Sequence, residues 1–199
     1  MPATGVLSAL GVGTDVRLLL LIGPEDVTKV LTAEARHTLD TLGEIVQPED
    51  PGTLSETELM GLIADSEVVV TGWLSPRLPE AILHRRGLSL RYICHLTGSM
   101  HETIPAAFVE DHRVIVSNWG NAVAPFVAET ALALLLACTR RLRFRFAEIA
   151  NRGGWSGALE ENDSLFDKRV GFFGFGEVAQ ALAALMEPFR CHLSYYDPY

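Results

Sequence analysis

The sequence predicts an α/β fold: a doubly wound parallel sheet, followed by the opening of a second one. Three observations carry this. Strand-like and helix-like segments alternate five times across residues 15–118. The strand-like segments are continuous apolar runs, as expected where helices cover both faces of a parallel sheet. Near the end of the chain, an apolar run, a glycine turn and an Ala/Leu-rich helical pattern follow one another: Val170-Gly171-Phe172-Phe173-Gly174-Phe175-Gly176-Glu177-Val178-Ala179-Gln180.

Taken in order, residues 1–14 are small, Gly-rich and aperiodic, and read as a flexible tail. Residues 16–22 form a buried strand, and Gly23, Pro24, Glu25 and Asp26 turn the chain. Leu31, Ala35, Leu39 and Leu42 recur at helical spacing. Ile45 and Val46 make a short strand closed by Pro48 and Pro51. Ser55-Glu56-Thr57-Glu58 opens a helix as a capping box, with Leu59, Leu62 and Ile63 on its apolar face. Val68, Val69 and Val70 form a β-branched strand ended by Thr71-Gly72. Pro79 begins a helix through Ile82 and Leu83. Residues 90–94 are the fourth strand, 104–109 a short helix, and 114–116 the fifth strand. Residues 15–118 thus read as one complete domain. The pattern then changes: residues 121–152 predict a single long helix with Val127, Ala131, Leu134, Leu135 and Leu142 on one side, stopped by Gly153-Gly154. A polar loop, 156–163, leads into the glycine turn. No internal repeat or low-complexity segment is found.

A chain of 199 residues suits one large domain or two small ones, and 48% hydrophobic with 21% charged residues is ordinary for a folded protein. The net charge of −9 disfavours nonspecific binding to nucleic acid or anionic lipid. Cys94, Cys138 and Cys191 are widely spaced and odd in number, so they read as buried thiols in a reducing cytoplasm. The N-terminal apolar run is too short for a signal segment. Residues 122–138 contain Pro125 and Glu129 and read as a buried helix rather than a membrane span. The histidines have no metal-ligand spacing, so no metal site is expected. Arg140, Arg141, Arg143 and Arg145 spread round a helix and favour its C-terminal half. They do not form a nucleic-acid stripe, and Phe144 and Phe146 are expected to meet core or a partner subunit.

The glycine turn carries the chemistry. Gly174 can adopt a turn conformation closed to other residues, and Gly176 lets a pyrophosphate approach the backbone. Ala179 allows close helix–strand packing. The helix start, at Glu177 and Val178, would aim free N–H groups and the positive dipole end at phosphates. Glu177 also favours the dipole as a first-turn acid, but sets a like charge near the ligand. About twenty residues on, Asp197 ends a second apolar run, where a ribose-binding carboxylate would sit. A carboxylate there would accept from the ribose of NAD and repel the 2′-phosphate of NADP. After the fourth strand, Thr97-Gly98-Ser99 reads either as a plain connection or as a loop whose amides hold a substrate carboxylate. Trp73 lines the same cleft or packs. His95 and His101 flank the loop and read first as surface or packing residues.

These stretches resemble the D-isomer-specific 2-hydroxyacid dehydrogenases. Arg91-Tyr92-Ile93-Cys94-His95-Leu96-Thr97-Gly98-Ser99 is similar to the family's carboxylate-binding strand and loop. Val114-Ile115-Val116-Ser117-Asn118-Trp119-Gly120-Asn121 is similar to its crossing into the cofactor domain. Val127-Ala128-Glu129 with the long helix resembles its dimerisation helix, and residues 170–179 with Tyr196-Asp197-Pro198 its NAD fingerprint. The resemblance implies a flavodoxin-like substrate domain (15–118) followed by the start of a Rossmann NAD-binding domain (119–199). It implies NAD as cofactor, a small 2-hydroxy or 2-keto acid as substrate, and a cytoplasmic homodimer through helix 121–152. Gly174, Gly176, Glu177, Val178 and Asp197 would bind cofactor; Thr97, Gly98 and Ser99 would bind substrate. Two departures stand out. One glycine remains where the substrate loop often has Gly-x-Gly, and Asp167-Lys168 replaces the usual Gly-Lys, a change Asp tolerates in a left-handed turn. The family's catalytic Arg, acid and His fall beyond Tyr199, so no catalytic residue is assigned. The expectation is an N-terminal portion without dehydrogenase activity of its own. The rival is a non-catalytic, NAD-responsive dimer like the family's corepressor member.

Overall fold

A computed structural model of the chain describes residues 16–23, 27–28, 31–153 and 163–199. The tail 1–14, residues 24–26 of the first turn, Gly154, and residues 156–162 of the polar loop lie outside the described residues. The chain divides into two compact units, Met1–Gly120 and Asn121–Tyr199, each described by itself.

The first unit is built on five strands: β1 (Val16–Leu20), β2 (Gly43–Val46), β3 (Val68–Thr71), β4 (Tyr92–His95) and β5 (Ile115–Ser117). All pair in parallel, in the order β2-β1-β3-β4-β5. This is the flavodoxin-like arrangement, with the chain order reversing beside β1 and ligands expected at the carboxyl ends of the strands there. Apolar side chains serve both faces of the central strands. Leu19, Val69 and Ile93 enter one core with Leu59, Ile63, Ile82 and Phe108. Leu18, Leu20, Val68 and Val70 enter the other.

The connecting helices follow local chemistry. Helix α1 (Ala33–Asp40) starts at Thr32, whose side chain accepts from the amide of Ala35. Helix α2 (Glu56–Ala64) carries the expected capping box: Glu58 N–H donates to Ser55 Oγ, and Ser55 N–H donates to Glu58 Oε2 at 2.9 Å. Helix α3 (Ala106–Glu110) is short. The segment after Pro79 is a 3₁₀ helix, Glu80–His84, rather than an α-helix. Its bonds close over three residues: the Ile82 N–H donates to the Pro79 carbonyl and the Arg85 N–H to the Ile82 carbonyl. The two sheet faces are covered unequally. Helix α1 buries none of its residues, and an apolar cavity of about 520 Å³ separates it from β1, β3 and β4.

In the second unit the expected single helix is two. Helix α4 (Ala124–Thr139) and helix α5 (Leu142–Arg152) meet at Arg141, which is left-handed at φ 51°. No Gly or Pro marks the break. The Asp163 N–H donates to the Thr139 carbonyl at 3.1 Å and satisfies one acceptor of the helix C-terminus there. Gly153, at φ 65°, ends α5 as expected. Helix α4 buries Ala124 and Ala128, while Val127 and Leu134 of the expected apolar side are exposed. Phe144 and Phe146 are exposed and Arg145 is buried, the reverse of what residue polarity suggests. Strand β6 (Arg169–Phe173), helix α6 (Glu177–Met186) and strand β7 (His192–Tyr196) complete a parallel βαβ unit, with Phe173 opposite Tyr196. Asp167 takes the left-handed turn at φ 58°, held by two 3.0 Å bonds from Arg190. The cysteines are free, and none is fully buried: Cys138 is exposed on α4. No described helix is long and apolar enough to cross a membrane.

Candidate functional site

In the second unit, β6 ends at Phe173 and the chain turns through Gly174 at φ 90°. L-residues rarely adopt that conformation, so the position needs glycine. The Gly174 N–H donates to the Tyr196 carbonyl at 2.8 Å, tying the turn to the end of β7. A Cβ built on Gly174 or Gly176 would meet nothing within 4 Å. The space in front of the turn is therefore open to a ligand. Gly176 is the N-cap of α6, and no side chain caps the helix. The first-turn amides at Glu177 and Val178 keep their capacity to bind an anion. Gln180 Nε2 donates to the Phe175 carbonyl at 3.0 Å and braces the turn from the helix side.

Asp197 joins the turn directly. Its Oδ2 accepts the Phe175 N–H at 2.5 Å, and its Oδ1 accepts the Tyr199 N–H at 3.0 Å. These backbone donors, Phe175 first, hold its carboxyl below the ordinary carboxylate value. Each carboxylate oxygen has two acceptor positions, so capacity for ribose hydroxyls remains. Asn121 Nδ2 donates to Glu177 Oε2 at 3.3 Å. Asn121 was not expected in this role, and nothing in its local sequence marks it. Open glycines, an uncapped helix start and an ionised acid beside the second strand together fit the diphosphate and ribose of a dinucleotide.

In the first unit the loop after β4 is held from below by a buried imidazole. His95 is 1% exposed. Its Nε2 lies 3.0 Å from the Ser99 carbonyl and 2.5 Å from Thr97 Oγ1. A carbonyl only accepts, so Nε2 carries the proton; Nδ1 then accepts from Thr71 Oγ1 at 2.9 Å. Burial pushes His95 below the ordinary imidazole value, which keeps it neutral. His95 thus packs beneath the loop and positions it. His101 is outside this network's core and bonds Ser99 Oγ through Nδ1 at 2.7 Å.

From above, Asn118 Nδ2 donates to the Gly98 carbonyl at 2.5 Å, and its Oδ1 accepts the Gly120 N–H at 3.0 Å. The Trp119 indole lies so close that a Cβ on Gly98 would sit 2.9 Å from its Nε1. Gly98 is therefore needed for close approach. Among the described residues, none accepts the amide N–H of Thr97, Gly98 or Ser99. The loop presents unpaired donors at a strand's carboxyl end, which suits a carboxylate. The sequence placed Asn118 and Trp119 in a domain crossing; their hold on Gly98 depends on the β4–β5 pairing, which no local pattern reveals.

The sequence profile of the D-isomer specific 2-hydroxyacid dehydrogenase NAD binding domain matches residues 132–199. Hydroxypyruvate reductase of Thermotoga maritima is 30% identical over 145 residues, covering 73% of this chain and 46% of that protein.

The chain belongs to the D-isomer specific 2-hydroxyacid dehydrogenase family.

Another family relative, glyoxylate reductase/hydroxypyruvate reductase of Mus musculus, is 30% identical over 170 residues, 82% of this chain and 50% of its own. The chain spans about half the length of these two curated relatives. Among solved structures, a phosphoglycerate oxidoreductase from Rhizobium etli superposes with a TM-score of 0.69 at 22% identity, covering 93% of this chain and 56% of its own. That likeness supports the dehydrogenase-type fold. The profile match includes the glycine turn and Asp197, so the second unit's βαβ lies within the stretch that matches the family's NAD-binding domain.

Proposed function

We propose that this chain binds NAD and a small 2-hydroxy or 2-keto acid as part of a cytoplasmic NAD-dependent oxidoreductase. The observation that carries the reading is the open glycine turn with Asp197 locked onto the Phe175 amide. Bound NAD would supply a hydride acceptor, and its reduced form a hydride donor. The chain's own groups bind and orient. Gly174 and Gly176 leave room for the pyrophosphate, and the amides of Glu177 and Val178 hold it. Asp197 accepts from the ribose hydroxyls, and its charge favours NAD over NADP. The free amides of Thr97, Gly98 and Ser99 hold the substrate carboxylate. No residue is assigned a proton-transfer role. The exposed Phe126 and Leu134 of α4 support a homodimer through this helix, which sedimentation would test.

Calorimetric titration of the chain with NAD and NADP tests the reading. The expected result is saturable heat with NAD at millimolar concentration or below, NADP about tenfold weaker, and loss of that preference in Asp197→Ala. No heat with millimolar NAD would remove the cofactor half of the proposal.

A further inference from the structure

Two indoles stand beside the carboxylate loop, and the assigned binding roles do not use them. The turn after β3 is tightly pinned. Ser75 Oγ accepts the Gly72 N–H at 2.7 Å and donates to the Leu21 carbonyl at 2.5 Å. This firm anchorage holds out two large apolar residues at the carboxyl end of the central strand: Trp73 is 64% exposed and Leu74 71%. Strands β3 and β4 are neighbours whose last residues, Thr71 and His95, lie in register, so this turn adjoins the Thr97–Ser99 loop. Trp119 bridges the two. Its ring meets Trp73 edge to face, with centroids 5.8 Å apart and planes at 82°, and its Nε1 lies against Gly98. That Nε1 is buried without a hydrogen-bond partner. An unpaired donor thus faces the loop, while an exposed aromatic face continues away from it.

We infer that Trp73 and Trp119 select a 2-hydroxy or 2-keto acid with an aromatic or bulky apolar side chain, over glyoxylate-sized acids. The inference rests on the carboxylate-loop reading under Proposed function. An acid anchored on the loop amides has an aromatic wall beside its far end. A phenyl group there leaves water and meets ring edges and faces, a geometry aromatic pairs favour. A two-carbon acid reaches none of this surface. Burying one large apolar side chain corresponds to an affinity gain on the order of tenfold to a hundredfold.

The test is equilibrium binding of the whole chain to D-3-phenyllactate, glycolate and 3-phenylpropanol, by calorimetry or ligand-observed NMR. The expected order is phenyllactate tighter than glycolate by about tenfold or more, with phenylpropanol weakest. Trp73→Ala should bring phenyllactate down to the level of glycolate and leave glycolate unchanged. Trp73→Phe, which keeps a ring, should restore most of the difference. Equal affinities for the two acids, or equal losses for both in Trp73→Ala, overturn the inference while leaving the carboxylate site standing. Phenylpropanol binding as well as phenyllactate also overturns it, because the wall would then be an apolar patch independent of the acid. Binding of neither acid overturns the carboxylate-loop reading and this inference together.

Discussion

The two parallel sheets of this protein are written in the same alphabet and end in opposite surroundings. In the first, Leu19, Val69 and Ile93 are 0% exposed; in the second, Phe173, Tyr195 and Tyr196 are 92%, 64% and 61% exposed. Both contain apolar parallel strands. The difference lies in coverage: β1, β3 and β4 each have a strand on both sides and helical elements over a face, while β6 and β7 form a two-stranded sheet. Apolar composition makes a strand, but neighbours make a core. The second sheet keeps its geometry through hydrogen bonds at its ends: Gly174 to Tyr196, Phe175 to Asp197, and Arg190 to Asp167.

That contrast can be broken most sharply at Phe108, which is 0% exposed in the larger core. Phe108→Ala should cost about 3–5 kcal/mol in urea denaturation; a loss near zero would mean the first unit's core is not what holds it. Gly174→Ala comes next. Its Cβ would meet nothing, so the cost is conformational, roughly 1–3 kcal/mol, and NAD affinity should fall with it. Ser55→Ala removes the capping box of α2 and should cost about 1 kcal/mol, measured by the same unfolding midpoint.

His95 sharpens the comparison through pH. Its value is lowered by burial in the folded state, so between that value and the ordinary imidazole value near 6.5 the unfolded chain binds the extra proton. The neutral network contributes fully above about pH 6.5, and stability falls as pH drops below it. The urea midpoint of the wild type should therefore decline between about pH 7 and 5 more steeply than that of His95→Gln; parallel slopes would remove the buried-imidazole account. The smallest effect is expected at Phe173. Phe173→Ala should change stability by no more than about 0.5 kcal/mol, and a core-sized loss would show that its ring is covered in solution.

Much of the fold was legible from local chemistry. The β-branched run of β3, the capping box of α2 and the helical spacing of α1 act over a few residues; the first two formed where the pattern placed them, and α1 spans Ala33–Asp40, with Leu31 and Leu42 just outside it. The glycine turn was legible too, because Gly174 answers a backbone requirement and Asp197 follows at the expected strand end. Three features escaped. No Gly or Pro stands near Arg141, so the break there was not legible; the Asp163 amide that meets the Thr139 carbonyl comes from 24 residues along the chain. Pro79 begins a helix as expected, but its 3₁₀ type was not legible. Phe144 and Phe146 were expected to meet core or a partner subunit; within the chain both are exposed, while Arg145 is buried.

The site divides in the same way. Periodicity, capping and glycine conformation are properties of neighbouring residues, and they settled the strand order's raw material, the anion-ready helix start and the acid that follows it. The substrate loop was different. Thr71 and His95 are 24 residues apart in the chain, and Asn118 and Gly98 are 20 apart. Only the parallel pairing of β3, β4 and β5 brings them into hydrogen-bond range and sets the Trp119 indole against Gly98. The Thr71 hydroxyl on His95 Nδ1, or a wall of two indoles, depends on distances across the sheet, and those exist only once the strands have paired.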